Sequence, residues 1–322
     1  ELFLGKLDLE KGTVKISGKD YALLDSSFPT VDPKDPYALT PEEAEVMERL
    51  QSAFLKCEKL QRHVRFLYTN GSLYKVYNGN LLYHGCVPLN NDGTFRKVRI
   101  FGKEYSGKAL YDILEVYARK GYYSMDKEER KKGRNILWYI WKNKNSPVYG
   151  KDRMTTFERR LIKDESAWTE PKNSYYALYQ DPSVCDMLLK EFGLEGPHCH
   201  IINGHIPVKA KKGESPIKGG GKLVVIDGGL CKAYQPTSGI AGYTLIFNSW
   251  CFRIVSHQPF AGQQDAIENN HDIANSSDVF ERLGSRMRIS QTDIGRTLQA
   301  QSDDLCLLLE AYRSGAVTEG HQ

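Results

Sequence analysis

The segment Asn78-Gly79-Asn80-Leu81-Leu82-Tyr83-His84-Gly85 carries the strongest fold signal in this chain. Its Asn-Gly pair lies between two runs rich in β-forming residues, which favours a hairpin with a tight turn. A later segment, Cys199-His200-Ile201-Ile202-Asn203-Gly204-His205, is also an apolar run that ends beside a glycine and a histidine. Both segments predict buried strands, and each strand presents a histidine where it ends.

Turn and cap residues predict the elements around these strands. Hairpins are expected around Ser17-Gly18 and around Asn248-Ser249, and a buried strand is expected at residues 222–226. Thr40-Pro41-Glu42-Glu43 forms a capping box with proline at the first helical position. The apolar spacing that follows predicts one long helix, which ends near Asn70-Gly71.

Shorter helices are predicted further along the chain. One covers residues 106–120 and is closed by Gly121, and another covers residues 126–142, where the aromatic run Trp138-Tyr139-Ile140-Trp141 is expected to be buried. A third begins at Asp181-Pro182 and ends near residue 192. From residue 265 onward the sequence is polar and predicted to be helical. Its apolar face comprises Leu298, Leu305, Leu308 and Tyr312.

The order of these elements predicts the fold class. Hairpins and helices occur in blocks rather than in strict alternation, which favours an α+β fold or a layered sandwich over a doubly wound sheet. The predicted segments are 1–70, with a hairpin, a connector and the long helix; 71–105, with the hairpin that carries His84; 106–195, a helical insertion; 196–262, with core strands and a basic, glycine-rich loop; and 263–322, a helical tail.

The composition excludes several classes of protein. The 322 residues suffice for one large domain or two ordinary ones, and no apolar run is long enough to span a membrane. A net charge of +4 is too small to indicate nucleic-acid binding. Seven cysteines without a CxxC pair favour reduced thiols and a cytoplasmic protein. The chain opens without methionine, so we expect its beginning to lie outside this sequence.

His84 and His205 are the leading candidates for a metal site. A side chain at the end of a strand is held by rigid backbone while the adjoining loops leave it accessible. Neutral imidazole is the commonest metal ligand. The competing interpretation is a structural histidine whose hydrogen bonds are satisfied within the protein. Because the two histidines occur in matching contexts, the residues alone leave these interpretations evenly balanced.

Neighbouring residues suggest alternatives with weaker support. His198, Cys199 and His200 could form a zinc cluster with the second candidate ligand, but their spacing fits no structural zinc pattern. His200 could instead orient a ligand from the same strand. Cys86 follows His84 closely enough to suggest a nucleophile, but the strand geometry disfavours the pair and no activating partner is evident.

Basic segments could bind phosphate, because cationic side chains and free backbone N–H groups both favour anions. The loop at 209–222 is basic and glycine-rich but lacks the sequence of a P-loop. A second basic segment contains Arg153, and a solvated loop is the competing interpretation for both. Asp227 follows the strand at 222–226 and could bind a metal, orient a histidine or only form a turn. The lysine candidates in the loop are Lys209, Lys211, Lys212 and Lys218.

Residues 78–89 resemble the His-Gly strand of the calcineurin-like metallophosphatases, and residues 200–208 resemble their second histidine-bearing strand. More narrowly, blocks spread over nearly the whole chain resemble the class III (Firmicutes-type) fructose-1,6-bisphosphatases. These blocks are Phe28-Pro-Thr-Val-Asp-Pro33, Glu58-Lys-Leu-Gln-Arg-His63, Gly150-Lys-Asp-Arg-Met-Thr-Thr-Phe-Glu-Arg159, Lys212-Gly-Glu-Ser-Pro-Ile-Lys218, Val225-Ile-Asp-Gly-Gly229, Gly239-Ile-Ala-Gly-Tyr-Thr-Leu245 and Glu310-Ala-Tyr-Arg-Ser-Gly315.

The resemblance implies a four-layer α/β/β/α sandwich with helical insertions and a dinuclear site for Mn²⁺ or a similar divalent ion. It implies that His84 and His205 are metal ligands. The implied reaction is hydrolysis of fructose 1,6-bisphosphate to fructose 6-phosphate and phosphate in gluconeogenesis. Lys209, Lys211, Lys212, Lys218 and Arg153 are then the candidates for contacts with the phosphates of the substrate or of an effector.

The other metal-binding motifs of that superfamily, Asp-x-His, Gly-Asp-x-x-Asp-Arg and Gly-Asn-His-Asp/Glu, are absent from the sequence. We therefore expect a C-terminal portion that supplies only part of the site, is inactive alone, and either pairs with the N-terminal half of the enzyme or forms a homo-oligomer. The alternatives are a serine/threonine protein phosphatase of the same superfamily and a catalytically inactive module that binds phosphate or nucleotide.

Overall fold

The computed structural model of the chain describes residues 3–270 and 275–318, and the chain divides into two units. The first unit comprises Glu1–Leu73 and Pro88–Ser174. The second comprises Tyr74–Val87 and Tyr175–Gln322. The second unit therefore contains both histidine-bearing segments, although more than a hundred residues separate them in the sequence.

The secondary structure is mixed. The described helices are α1 (Pro41–Lys56), α2 (Glu58–Asn70), α3 (Gly107–Tyr123), α4 (Lys127–Lys142), α5 (Thr156–Leu161), α6 (Tyr175–Leu178), α7 (Pro182–Glu191), α8 (Gln235–Ser238), α9 (Gln263–Asn269) and α10 (Asp293–Arg313). The described strands are β1 (Leu7–Asp8), β2 (Thr13–Ile16), β3 (Lys19–Ala22), β4 (Tyr74–Tyr77), β5 (Asn80–Tyr83), β6 (Val98–Ile100), β7 (Lys103–Tyr105), β8 (His200–Asn203), β9 (Ile217–Lys218), β10 (Leu223–Val225), β11 (Gly242–Phe247), β12 (Cys251–His257) and β13 (Asn275–Arg282). This content is compatible with the predicted α+β class, and the four-layer sandwich stays a prediction.

In the first unit, strands β1, β2 and β3 form an antiparallel sheet. The predicted hairpin at Ser17-Gly18 is confirmed, since β2 and β3 pair directly across it. Alternation along β2 buries Val14 and Ile16, and these side chains pack with Ile162 and Ala167. This small core connects the beginning of the chain to the segment around α5.

The prediction of one long helix after the capping box is wrong in one respect. Thr40 and Glu43 do form the capping box, but the helix breaks at Cys57, whose backbone is extended. The Gln61 side chain reaches back toward the carbonyl oxygens at the end of α1, which lack helical partners. Neither helix contains a buried residue, so their apolar stripes are exposed within the described structure.

Helices α3 and α4 form an antiparallel hairpin that packs on β6 and β7. The prediction that Gly121 ends α3 is wrong, because the helix continues to Tyr123. Gly121 instead faces Gly133 of α4 at close range, and the two glycines allow the helix backbones to approach. The predicted cap of α4 is confirmed, since Asp126 accepts a hydrogen bond from the Glu129 N–H.

The prediction that the aromatic run of α4 is buried is also wrong for both tryptophans. Trp138 is 58% exposed and Trp141 is 64% exposed, whereas Ile140 between them is buried. The helical period explains the difference, because residues 138 and 141 lie on the face opposite Ile136 and Ile140.

The second unit is built on a five-stranded sheet with the order β4-β5-β8-β10-β9. The predicted hairpin at Asn78-Gly79 is confirmed and joins β4 to β5. Strands β5, β8 and β10 are parallel to one another, while β4 and β9 are antiparallel edges. The three parallel strands are mostly apolar and almost wholly buried, as expected for strands covered on both faces, and their polar residues are Asn80, His200 and Asn203.

A separate antiparallel sheet comprises β11, β12 and β13. The predicted hairpin at Asn248-Ser249 is confirmed, but the prediction of a helical tail is wrong at β13, which pairs with β12 along its length. Helix α10 presents the predicted apolar face, and its leucines are exposed. Its first residue, Asp293, exchanges hydrogen bonds with Asn78 in the β4–β5 turn. None of the helices in the described ranges is both long and apolar enough to cross a membrane.

Candidate functional site

The carboxyl ends of the parallel strands bring the predicted site residues together. His84 follows β5 directly, His205 lies two residues beyond β8, and Asp227 lies two residues beyond β10. Because β8 is the central strand of these three and all run in the same direction, their carboxyl ends lie at one edge of the sheet. Ligands of open parallel sheets bind at this kind of edge.

The two histidine side chains meet at this edge. His84 Nε2 lies 2.9 Å from His205 Nδ1, and the ring planes are inclined by 67°. One imidazole must donate its N–H to the lone pair of the other for this contact to be a hydrogen bond. Histidine nitrogens from the ends of two different strands are thus in direct contact.

Backbone contacts hold the two histidine-bearing segments next to each other. The Gly204 N–H donates to the His84 carbonyl at 3.0 Å, so the segments after β5 and β8 are joined directly. His205 has a φ of +67°, a conformation that costs a non-glycine residue energy. A Cβ on Gly204 would lie 3.4 Å from the Asp227 Cβ, which places the Asp227 side chain beside the histidine-bearing turn.

The electrostatics favour neutral imidazole. The protein atoms around His84 exclude water and thereby lower the pKa of this histidine, and the Asp227 carboxylate opposes that shift only partly. His84 is therefore neutral at pH 7 and keeps a lone pair, as a metal ligand requires. Asp227 also accepts a hydrogen bond from the Gly229 N–H at 2.9 Å, so this carboxylate both forms the turn and acts on His84.

A buried tyrosine–asparagine network supports the edge, and the sequence did not predict it. Asn203 donates to the Gly85 carbonyl at 3.1 Å and to the Tyr175 hydroxyl at 2.7 Å. Tyr175 in turn lies 2.8 Å from the Tyr83 hydroxyl. The network fixes the residues next to His84 and Gly204. The available signal was a polar residue, Asn203, directly after Ile201 and Ile202 in a strand predicted to be buried.

His200 lies at the other end of β8. Its Nε2 is 2.6 Å from a Glu281 carboxylate oxygen on β13, and His198 contacts the other oxygen of the same carboxylate. This location ties His200 to β13 rather than to the carboxyl edge of the sheet. The alternative zinc cluster has no structural support, because residues 3–270 and 275–318 contain no group of three or more potential ligands arranged around one ion.

Cys86 is excluded as a nucleophile. Its side chain is completely buried, and this burial raises the pKa of the thiol to about 12. A thiol with such a pKa is almost entirely protonated at neutral pH, whereas the thiolate is the nucleophilic form. All seven cysteines are free, as the sequence predicted.

The structure separates the basic candidates into different groups. Val208 donates its N–H to the Asp227 carbonyl at 2.8 Å, so the lysine-rich loop starts at the edge that holds the histidines. Lys209, Lys211 and Lys212 are exposed on this loop. Lys218, in contrast, is buried, and its ammonium group lies 2.7 Å from Glu214. Arg153 belongs to the first unit and donates to main-chain carbonyls there.

The buried ion pair of Lys218 gives a stability prediction. In Glu214→Gln, the Lys218 ammonium stays buried without its charged partner, which is costly in a medium of low polarity. Because Glu214 is partly exposed, we expect a loss of about 1–3 kcal/mol in the free energy of unfolding rather than the full cost of a buried pair. Urea unfolding measures it. Glu195→Gln breaks an exposed lysine pair and is the control, with an expected change within about 0.5 kcal/mol.

A divalent metal fits part of this site. Two nitrogens bound at right angles to one ion, each at about 2.1 Å, are about 3 Å apart, and the two imidazole nitrogens lie at 2.9 Å. Asp227 supplies a carboxylate next to them, but no group of three or more donors surrounds one point in the described parts of the chain. The described residues therefore offer two candidate ligands, and they do not form a complete dinuclear site.

Comparison with known proteins identifies relatives across the chain. A family model described as Firmicute fructose-1,6-bisphosphatase matches residues 1–314. The class 3 fructose-1,6-bisphosphatase of Alkaliphilus metalliredigens is 51% identical over 321 residues, which is 99% of this chain and 48% of that protein. The corresponding proteins of Clostridium beijerinckii and Listeria innocua are 49% and 48% identical, over 99% of this chain and 48% and 49% of their own lengths. No solved structure matches the chain.

The family match covers residues 1–314, nearly the whole chain. The comparisons therefore give no support to the prediction that the chain is a C-terminal portion only. The chain spans about half the length of the curated relatives that it matches.

Proposed function

Because the chain belongs to the Firmicute fructose-1,6-bisphosphatase family, we propose that it contributes to the hydrolysis of fructose 1,6-bisphosphate to fructose 6-phosphate and phosphate, a reaction of gluconeogenesis. The observation that carries this proposal is the pair His84 and His205, whose nitrogens meet at the carboxyl edge of the parallel strands. The proposed fold remains the four-layer sandwich that the resemblance implies.

The proposed metal is Mn²⁺ or a similar divalent ion, in a dinuclear site of which His84 and His205 hold one part. When bound, such ions lower the pKa of a coordinated water and neutralise charge on the phosphate that is attacked. His84 contributes a neutral nitrogen ligand, since burial lowers its pKa. His205 contributes the second nitrogen of the pair. Asp227 keeps negative charge beside His84 and so favours retention of a cation.

Lysine side chains of the loop at 209–222 are proposed to hold the phosphate groups of the substrate. The phosphate groups of the sugar bisphosphate carry negative charge that the protein must hold in place. Lys209, Lys211 and Lys212 are exposed on the loop that begins at the Asp227 contact, so they are the proposed phosphate ligands. Lys218 is a weaker candidate than the sequence suggested, since Glu214 already neutralises it.

A second candidate function is a module that binds phosphate without hydrolysing it. The observation that favours it is the lack of a three-donor group within the described ranges. The comparisons give no support to the separate predictions that the chain is inactive alone, requires a missing half or forms a homo-oligomer.

The test is phosphate release by this chain from fructose 1,6-bisphosphate with added Mn²⁺. We expect phosphate release that EDTA abolishes. We expect no release when a phosphoserine peptide is supplied as the substrate instead. Release from the phosphopeptide instead would favour the protein phosphatase alternative. Saturable binding of fructose 1,6-bisphosphate without release would favour the binding module, and neither binding nor release would reject both proposals for this chain.

A further inference from the structure

A cavity lies in the second unit, formed by elements that do not carry the histidine pair. Its volume is about 770 Å³, and it lies between the turn of the β11–β12 hairpin and the segment that links β13 to α10. We call it the arginine cavity. Its polar lining residues are Ser249, Ser285, Arg286, Arg288 and Gln291.

Hydrogen bonds hold the walls of the arginine cavity in place. The Leu283 N–H donates to the Trp250 carbonyl at 2.8 Å, and the Met287 N–H donates to the Ser249 carbonyl at 2.8 Å. These bonds fasten the linking segment to the hairpin turn on either side of Arg286. Gln291 folds back to accept the Arg288 N–H at 2.7 Å. Main-chain hydrogen bonds therefore fix the shape of the cavity, which does not depend on the positions of long side chains alone.

The arginine cavity contains two positively charged side chains, Arg286 and Arg288. Neither Arg286 nor Arg288 has a carboxylate partner among the residues that the structure describes. The Arg286 guanidinium lies over the Trp250 ring, 6.0 Å from its centre, and this contact leaves the charge of the arginine unneutralised. The serine hydroxyls can donate further hydrogen bonds into the same space. A cavity lined by two guanidinium groups and hydroxyl donors has the chemistry that favours an anion.

We propose that the arginine cavity binds the phosphate group of a small phosphorylated molecule. A planar guanidinium group can donate two parallel hydrogen bonds to a phosphate group. The two charges of a phosphate dianion balance both arginines, whereas a carboxylate balances only one. The cavity volume lies in the range of small-molecule sites, roughly 300–1,000 Å³. The Trp250 ring is 56% exposed and offers an apolar face to the remainder of the ligand. This site does not depend on the proposed hydrolase activity.

The experiment is a titration of the full chain with inorganic phosphate in the presence of EDTA, followed by calorimetry and tryptophan fluorescence. EDTA removes metal-dependent binding at His84 and His205. We expect saturable binding together with a change in fluorescence, because phosphate that engages Arg286 alters its contact with Trp250. The fluorescence change should be absent in Trp250→Phe, while the calorimetric binding remains.

The decisive variant is the double substitution Arg286→Gln and Arg288→Gln, which we expect to weaken phosphate binding at least tenfold. The control is Arg160→Gln with Arg313→Gln, which removes the same charge at exposed sites outside the cavity lining. Circular dichroism verifies that both proteins are folded. Equal losses in the two double variants would overturn the proposal in favour of general charge attraction. Unchanged binding in the cavity variant, or equal binding of acetate at matched ionic strength, would also overturn it.

Discussion

Loss of Mn²⁺ binding is the expected result of replacing either His84 or His205 with alanine. Each histidine supplies one of the two nitrogens that meet at 2.9 Å, so each substitution removes half of the proposed ligand set. Replacement of residues that only support metal ligands costs about 10- to 100-fold in affinity. We therefore expect a loss of at least about 100-fold for either ligand itself. Calorimetric titration with Mn²⁺ measures this loss without reference to catalysis.

A matched control separates this effect from a general loss of histidine. His63 lies exposed on α2 in the first unit, so His63→Ala should bind Mn²⁺ as the wild type does. Hydrolysis of fructose 1,6-bisphosphate should fall in parallel with metal binding if the proposed function is correct. Wild-type affinity in both His84→Ala and His205→Ala would contradict the ligand assignment. Lost binding with unchanged hydrolysis would instead contradict the proposed role of the metal.

The histidine pair could be predicted because its sequence context is local. Asn78-Gly79 sets the hairpin, the apolar run sets β5, and the position of His84 directly after it follows from those features. The same reasoning applies to His205 after β8. That the two strands are neighbours depends on pairing between segments separated by more than a hundred residues. Only the resemblance to a known family predicted that proximity.

The wrong predictions concern tertiary contacts that periodicity does not encode. Apolar residues continue at helical spacing through Cys57, so the pattern alone does not reveal the break between α1 and α2. Lys218 stays a candidate phosphate ligand, but the structure buries it and pairs it with Glu214, which the sequence does not reveal. Tryptophans at positions 138 and 141 look like core residues by composition, but the α4 face that packs is set by Ile136 and Ile140.

Gly121 is the most informative of these cases. Glycine after a helical pattern predicts a helix end, and that expectation is usually sound because glycine adopts left-handed backbone conformations easily. Here Gly121 lies inside α3. Because it has no side chain, the backbone of α4 can approach it closely. A Cβ on Gly121 would lie 2.8 Å from the Gly133 carbonyl carbon. The role of this glycine is therefore packing rather than termination.

The reciprocal glycine gives the largest stability effect that we expect. A Cβ on Gly133 would lie 2.2 Å from the Gly121 nitrogen and 2.5 Å from the Tyr117 carbonyl oxygen, and neither backbone atom can rotate away. Alanine favours an isolated helix by about 1 kcal/mol over glycine, so propensity alone predicts that Gly133→Ala is stabilising. The clash predicts the opposite sign, with a loss of about 3 kcal/mol or more in the free energy of unfolding, because the α3–α4 hairpin must open.

Urea unfolding followed by circular dichroism distinguishes these outcomes, with Asn135→Ala as the control. Asn135 is exposed on the same helix, so its substitution tests propensity without the close approach, and we expect a gain of up to about 0.7 kcal/mol. A Gly133→Ala protein as stable as the wild type would mean that the helices separate without cost. In that case the contact between Gly121 and Gly133 would not determine how α3 and α4 pack. Destabilisation confined to Gly133→Ala would identify the glycine pair as the feature that sets the spacing of the hairpin.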